Sequence, residues 1–167
     1  ELIVHHDFKL RPEIARLADG AWIAAGSPPA IRDLTVAQLK TYDVGRLQPK
    51  TSYAGRYPEQ APVDGERIPT FKEVIQLFKK SGNPSTRLFV EIKTSPDEPA
   101  LTPPPEVVSD QVVKMLKEEG IAERTWILSF DWRNLVHIQK TAPELATVYL
   151  TIVTPGSNTL KPNQPGA

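Results

Sequence analysis

Apolar residues in this chain come in short runs of two kinds, and the two kinds alternate. From residue 87 to 93 the order Arg-Leu-Phe-Val-Glu-Ile-Lys is a run of apolar and β-favouring side chains ended by a Thr-Ser-Pro turn signal. It predicts a strand covered on both faces. Thr125 to Phe130 and Ala146 to Val153 are runs of the same kind. Between them the apolar spacing becomes helical. Val107, Val108, Val112, Val113 and Leu116 mark a helix from about Glu106 to Glu119, stopped by Gly120. Leu135, Val136 and Ile138 mark another over 132–141, with Asp131 as N-cap and Pro143 as stop. Upstream, Thr70 N-caps a helix with Glu73 in capping-box position, an apolar face of Val74, Ile75, Leu77 and Phe78, and a stop at Ser81-Gly82-Asn83-Pro84. Strands alternating with helices imply a parallel sheet, either open or closed as an eight-stranded barrel.

The first third of the chain reads differently. Glu1 to His6 predicts a short strand, and Pro12 discourages a helix directly after it. Gly20, Gly26 and Pro28-Pro29 break residues 13–34 into loops with a short helical turn or two, and Thr35 caps a short helix of Val36, Leu39 and Lys40. From Asp43 to Arg67, Gly45, Pro49, Gly55, Pro58, Pro62 and Gly65 stand too close together for a regular element, which predicts a functional loop or lid. Tyr53 and Tyr57 in that loop either line a substrate entrance or cover apolar surface. Thr154 to Ala167, opened by Pro155-Gly156, shows no periodicity. The organisation is therefore a strand-and-loop excursion over 1–67, alternating helix and strand units over 68–153, and an irregular tail over 154–167. The chain begins inside an apolar run without a methionine, so it reads as an internal piece of a longer protein.

Composition narrows the partners. The 167 residues fit one domain, and 40% hydrophobic content supports a real core. Twenty basic and twenty acidic residues cancel, without the electrostatic footprint that nucleic acid or an anionic membrane would require. There is no cysteine, so any metal would be held by oxygen or imidazole. No stretch approaches the ~20 consecutive apolar residues of a membrane span, and stable membrane insertion is not expected.

Two charged clusters stand at the ends of apolar runs. Alternation along a strand places Glu91 and Lys93 on one face, and a buried Glu is costly unless it meets a metal or a cation. The pair is either a structural ion pair or part of a site. His5, His6 and Asp7 form the second cluster, at a strand exit where catalytic groups are often carried. No Gly-x-Gly-x-x-Gly or Gly-x-x-x-x-Gly-Lys-Ser/Thr follows any strand, which argues against dinucleotide and P-loop nucleotide binding.

Val4-His5-His6-Asp7, Ile68-Pro69-Thr70, Val90-Glu91-Ile92-Lys93 and Ser129-Phe130-Asp131-Trp132, in that order, resemble the glycerophosphodiester phosphodiesterase family from residue 1 to about 153. The resemblance implies an α/β fold, a partial TIM-type (β/α)8 barrel with an excursion after the second strand. Residues 87–93, 125–131 and 147–153 would be its third, fourth and fifth strands. The family's His-Arg-Gly and Glu-x-Asp strands and its last strands lie outside the chain.

The resemblance also implies roles. His6 would be a general acid or base, Glu91 a metal carboxylate, and Lys93 the amine that steadies phosphate charge. Read from the residues themselves, Asp7 is a supporting group that either neighbours a ligand, orients a histidine or caps the turn, whereas His5 and His137 read as structural. Phe130 and Trp132 are either packing or, at a barrel mouth, contacts to the alcohol headgroup, with Phe130 the candidate substrate contact. The cofactor would be Ca²⁺ or Mg²⁺, and the substrate a small glycerophosphodiester cleaved to glycerol 3-phosphate and an alcohol. Family members are often exported, which leans towards a periplasmic or secreted location; the oligomeric state does not follow from these residues. Two other readings stand beside this one. One is a degenerate, non-catalytic barrel fragment. The other is a related phospholipase of the D type, against which the polar, proline-rich 43–67 loop speaks.

Overall fold

The computed structural model describes residues 1–155 and 157–160, and the chain divides into two units, Glu1–Val74 and Ile75–Ala167. The regular elements are α1 (Val36–Leu39), α2 (Ser52–Gly55), α3 (Phe71–Lys80), β1 (Leu88–Glu91), α4 (Pro105–Glu118), β2 (Thr125–Ser129), α5 (Trp132–Thr141), β3 (Ala146–Tyr149), β4 (Val153–Thr154) and β5 (Ser157–Asn158). Within the expected irregular tail, β4 and β5 pair as a short antiparallel ladder, while residues 156 and 161–167 lie outside the described residues.

In the first unit, Leu10, Ala15, Ile23, Leu39 and Ile68 form a small core packed against Ile3, Ile31, Leu34, Tyr42 and Val44. The expected strand at 1–6 is reduced to one antiparallel bridge, Ile3 to Thr70. Val4 N donates to Pro69 O at 2.9 Å and Phe71 N to Leu2 O at 3.0 Å. The physical reason is the partner. Helix α3 begins at Phe71, so the extended lead-in offers too few residues for a ladder. The long 43–67 segment contains one helical turn, α2, and is tied down by charge: Arg16 bonds both Asp43 and Asp64 at 2.6 Å, and Asp64 is also clamped by Arg46. Asp43 further accepts from the amides of Gly45 and Gly65, so the two ends of the excursion meet at one carboxylate. Gly45 is required there, because a Cβ would stand 1.8 Å from the Val63 carbonyl oxygen.

Helix α3 starts as the sequence predicts. Glu73 N donates to Thr70 Oγ1 at 3.2 Å, and the Glu73 carboxylate accepts from Thr70 N at 2.7 Å, which satisfies two amides left open at a helix N-terminus. Phe71, Ile75 and Phe78 are buried, whereas Leu77, expected on the apolar face, is exposed because its position falls about half a turn away.

In the second unit, β1, β2 and β3 form a parallel sheet in sequence order, with Leu88 opposite Thr125 and Trp126 opposite Ala146. Helices α4 and α5 pack on each other, and α5 packs on β2 and β3. The unit's buried hydrophobics include Val112 and Leu116 from α4, Ile127 from β2, and Leu135 and Ile138 from α5, together with Ile92, Ile121 and Leu145. On α4 the buried stripe runs through Pro105, Ser109, Val112 and Leu116, and Val107 is exposed. Gly120 ends that helix at φ +67°, a left-handed conformation that glycine adopts without steric cost.

Two strand expectations are corrected. β3 stops at Tyr149 instead of Val153, since β2, its partner, already ends at Ser129. Among the described residues one face of the sheet stays open, with Phe89 59% and Trp126 44% exposed and their rings 5.1 Å apart as a cross-strand pair. Among the described residues no helix is long and apolar enough to cross a membrane.

The N-cap of α3 is testable. Thr70→Ala should lower stability by about 1 kcal/mol in urea unfolding at neutral pH. Hydrogen bonds from Lys40 and then from Thr70 hold the Glu73 carboxyl down at about 2, against an ordinary 4.5. Its contribution is thus fully present above pH 4.5 and disappears as pH falls through about 2, so the Thr70→Ala difference should shrink across that window.

Candidate active site

The residues singled out in the sequence fall into two groups, one in each unit. Glu91, Lys93 and Phe130 belong to the second. Glu91 is the last residue of β1 and Lys93 lies two residues on, so both side chains leave the same face at the C-terminal end of a parallel strand. That end is where α/β sheets carry their chemistry. Lys93 Nζ is 2.6 Å from Glu91 Oε1 and 5.7 Å from the centre of the Phe130 ring. Phe130 follows β2, so the neighbouring strand's exit brings an aromatic face to the ammonium.

Glu91 Oε1 is itself buried and accepts no hydrogen bond, its contact with Lys93 being ionic and outside hydrogen-bond geometry. A buried anionic oxygen without a hydrogen-bond donor is a hard donor of the kind a divalent cation takes. No group of three or more His, Asp or Glu side chains able to hold a metal is present among the described residues.

His6 and Asp7 lie in the first unit. His6 is 76% exposed at its side chain, and its Nδ1 is 2.7 Å from Asp7 Oδ1. Arg11 approaches the other Asp7 oxygen at 3.3 Å and stacks over Tyr53, which in turn contacts Tyr57 with centroids 5.2 Å apart. Burial works against the Asp7 charge, but the hydrogen bond from His6 and the positive charge of Arg11 outweigh it and keep the carboxyl below its ordinary value. His5 points elsewhere chemically: its Nδ1 meets the backbone carbonyl of Asp7 at 2.7 Å. His137 pairs with Asp110 at 2.7 Å, joining α5 to α4.

Behind the Glu91–Lys93 segment lies a polar cluster that sequence reasoning saw only in part. Asp131 was legible as the N-cap of α5, and it does accept from Arg133 N at 3.2 Å. The same carboxylate, 1% exposed, also accepts from the Thr94 hydroxyl at 2.6 Å and from the Arg133 guanidinium at 2.9 and 2.7 Å. Asn134 donates to Thr94 Oγ1 at 2.7 Å and accepts from Ser109 at 3.1 Å. Ser129 Oγ donates to the Ile92 carbonyl at 2.8 Å. Thr94, Ser109 and Asn134 were missed. The available signal was polar residues at positions that helical or strand spacing turns inward, as Ser109 stands three residues before Val112 and seven before Leu116. Trp132, read as packing or a headgroup contact, donates its indole N–H to Leu150 O at 3.0 Å and packs edge-on against Tyr149.

The model of the glycerophosphoryl diester phosphodiesterase family matches residues 1–163. Among solved structures, one from Silicibacter pomeroyi DSS-3, provisionally named a glycerophosphoryl diester phosphodiesterase, is 28% identical with a TM-score of 0.82, over 93% of this chain and 52% of its own. An Oleispira antarctica phosphodiesterase, solved with the product sn-glycerol-3-phosphate, is 22% identical with a TM-score of 0.60, over 92% of this chain and 50% of its own. At that identity the likeness is one of fold. The chain spans about half the length of these structures. No curated protein is similar enough to count as a relative.

The Asp131 cluster makes the second unit acid-sensitive in a predictable way. Burial opposes the Asp131 charge, yet hydrogen bonds from Arg133 and Thr94 and the Arg133 charge hold its carboxyl below the ordinary value. Such a group stabilises the fold above the unfolded carboxylate pKa of ~3.9, and that stability is lost as pH falls through the folded value. Arg133→Gln removes the foremost lowering influence while changing a half-exposed side chain. Its acid-unfolding midpoint, followed by circular dichroism, should move to higher pH than in the unmodified chain.

Proposed function

The chain belongs to the glycerophosphoryl diester phosphodiesterase family and has its α/β fold, part of a TIM-type (β/α)8 barrel, and on that premise we propose that the full-length protein hydrolyses glycerophosphodiesters. The products are sn-glycerol 3-phosphate and the free alcohol. The observation that carries this reading is the Glu91–Lys93 pair, an anionic oxygen without a hydrogen bond beside an ammonium at a parallel strand's C-terminal end. Those two charges suit a phosphodiester bound with a cation: Lys93 meets a non-bridging phosphoryl oxygen, and Glu91 is one ligand of Ca²⁺ or Mg²⁺. The cation, when bound, supplies neutralisation of the charge that builds on phosphorus-bound oxygens.

His6 is the acid–base group in this reading. Asp7 on Nδ1 fixes the tautomer so that proton exchange runs through Nε2. As acid it protonates the alcohol oxygen that leaves phosphorus; as base it takes the proton of the attacking group. That group is water, or first the neighbouring glycerol hydroxyl through a cyclic phosphate that water then opens. Phe130 braces the Lys93 ammonium and offers an apolar edge to the alcohol portion. The substrate is a small molecule, and neither nucleic acid nor a membrane span enters the reading.

The test is release of sn-glycerol 3-phosphate from glycerophosphocholine by the full-length protein with and without added Ca²⁺ or Mg²⁺. His6→Ala should lower the rate ~10²–10⁴-fold, the usual worth of a general acid or base. Glu91→Ala should raise the metal concentration needed for half-maximal activity, and chelation should abolish turnover. Activity that survives both substitutions, or chelation, would reject this assignment of the site.

A further inference from the structure

We propose that Thr94, held by Asp131 and Asn134, is a positioning residue that fixes the conformation of the Glu91–Lys93 segment; this rests on the reading of that pair as part of the phosphodiester site. Four consecutive residues at the end of β1 alternate in direction, so Glu91 and Lys93 face one way while Ile92 and Thr94 face the other. The second pair is anchored on both sides. Ile92 N donates to Leu128 O at 2.8 Å, and Ile92 O accepts from Ser129 Oγ at 2.8 Å. Thr94 Oγ1 uses its one hydrogen on Asp131 Oδ2 at 2.6 Å and accepts from Asn134 Nδ2 at 2.7 Å. The backbone carrying the two site charges is thus pinned immediately before and after Lys93.

The cluster is expensive for a merely structural plug. Thr94, Ser109, Ser129, Asp131 and Asn134 are all buried, and one of them carries a charge. A buried carboxylate is a poor source of stability compared with apolar packing, but a fully bonded polar network allows a single arrangement. Here that arrangement is coupled to the site. Asn134 also lies 3.0 Å from Asp131 O and 3.3 Å from Ser129 Oγ, so the residue that holds Thr94 shares its two hydrogens with the start of α5 and the end of β2. A shift of Thr94 would therefore move Lys93 relative to Phe130 and Glu91. Displacements of about 1 Å at a reacting group cost up to ~10²-fold in rate.

Thr94→Val keeps the shape and removes both hydrogen bonds, and Thr94→Ser restores the hydroxyl. Made in the full-length protein, Thr94→Val should lower kcat for glycerophosphocholine roughly 10–100-fold with little change in KM, and should speed amide hydrogen exchange at Ile92–Thr94. Thr94→Ser should recover both. Ile138→Val, a buried apolar change on α5 outside the cluster, serves as the control for lost stability and should leave kcat near its original value. The proposal is overturned if folded Thr94→Val retains full kcat, if Thr94→Ser fails to recover it, or if Ile138→Val lowers it equally. If the unsubstituted protein cleaves no glycerophosphodiester, the functional reading fails by itself, and hydrogen exchange decides: faster exchange at Ile92–Thr94 in Thr94→Val alone supports the positioning role, and unchanged exchange rejects it.

Discussion

The Asp131 carboxylate is removed from water at the point where two parallel strands end, and it can stay there charged only because every side of it is answered. Thr94 reaches it from the end of β1, Arg133 from α5 with Nε and Nη2, and the α5 backbone with an amide. A carboxylate buried without such partners would cost several kcal/mol and would protonate instead. The need to satisfy it draws the exits of β1 and β2 and the start of α5 to a single point. Ser129 and Asn134 extend the same arrangement to the Ile92 carbonyl and, through Ser109, to α4. What emerges on the opposite face of β1 is the Glu91–Lys93 pair.

The strand exits are tied in succession. Ile92 N bonds Leu128 O, Leu150 N bonds Ser129 O, and the Trp132 indole bonds Leu150 O. A parallel sheet built from separate crossovers has no hairpins to set its register, so such links at the C-terminal ends help keep neighbouring strands level. The first unit solves a comparable problem with paired charge, Arg16 and Asp43 being largely buried. Its long irregular excursion is closed by Arg16, Arg46, Asp43 and Asp64, with Gly45 at the close approach where no side chain fits. From that unit His6 and Asp7 emerge as a paired imidazole and carboxylate, with Arg11 and Tyr53 packed beside them.

By itself the sequence determined what depends on local chemistry. The helical periods of 71–80, 105–118 and 132–141, the Thr70–Glu73 capping box, the Asp131 N-cap and the glycine stop at Gly120 were all legible, because each is set by residues within a turn or two. So were the centres of the parallel strands and the placement of Glu91 and Lys93 on one face, since strand alternation allows nothing else. Only the tertiary structure decided what depends on partners distant in the chain. The extended lead-in at 1–6 became a single bridge, and β3 stopped with its partner strand. Thr94 and Asn134 were invisible beforehand, because a threonine or asparagine acquires its role only when a buried carboxylate 37 residues from Thr94 arrives to receive the hydrogen bond. Hydrogen-bond demand inside a fold is settled by what packing brings together, and one-dimensional spacing carries no record of it.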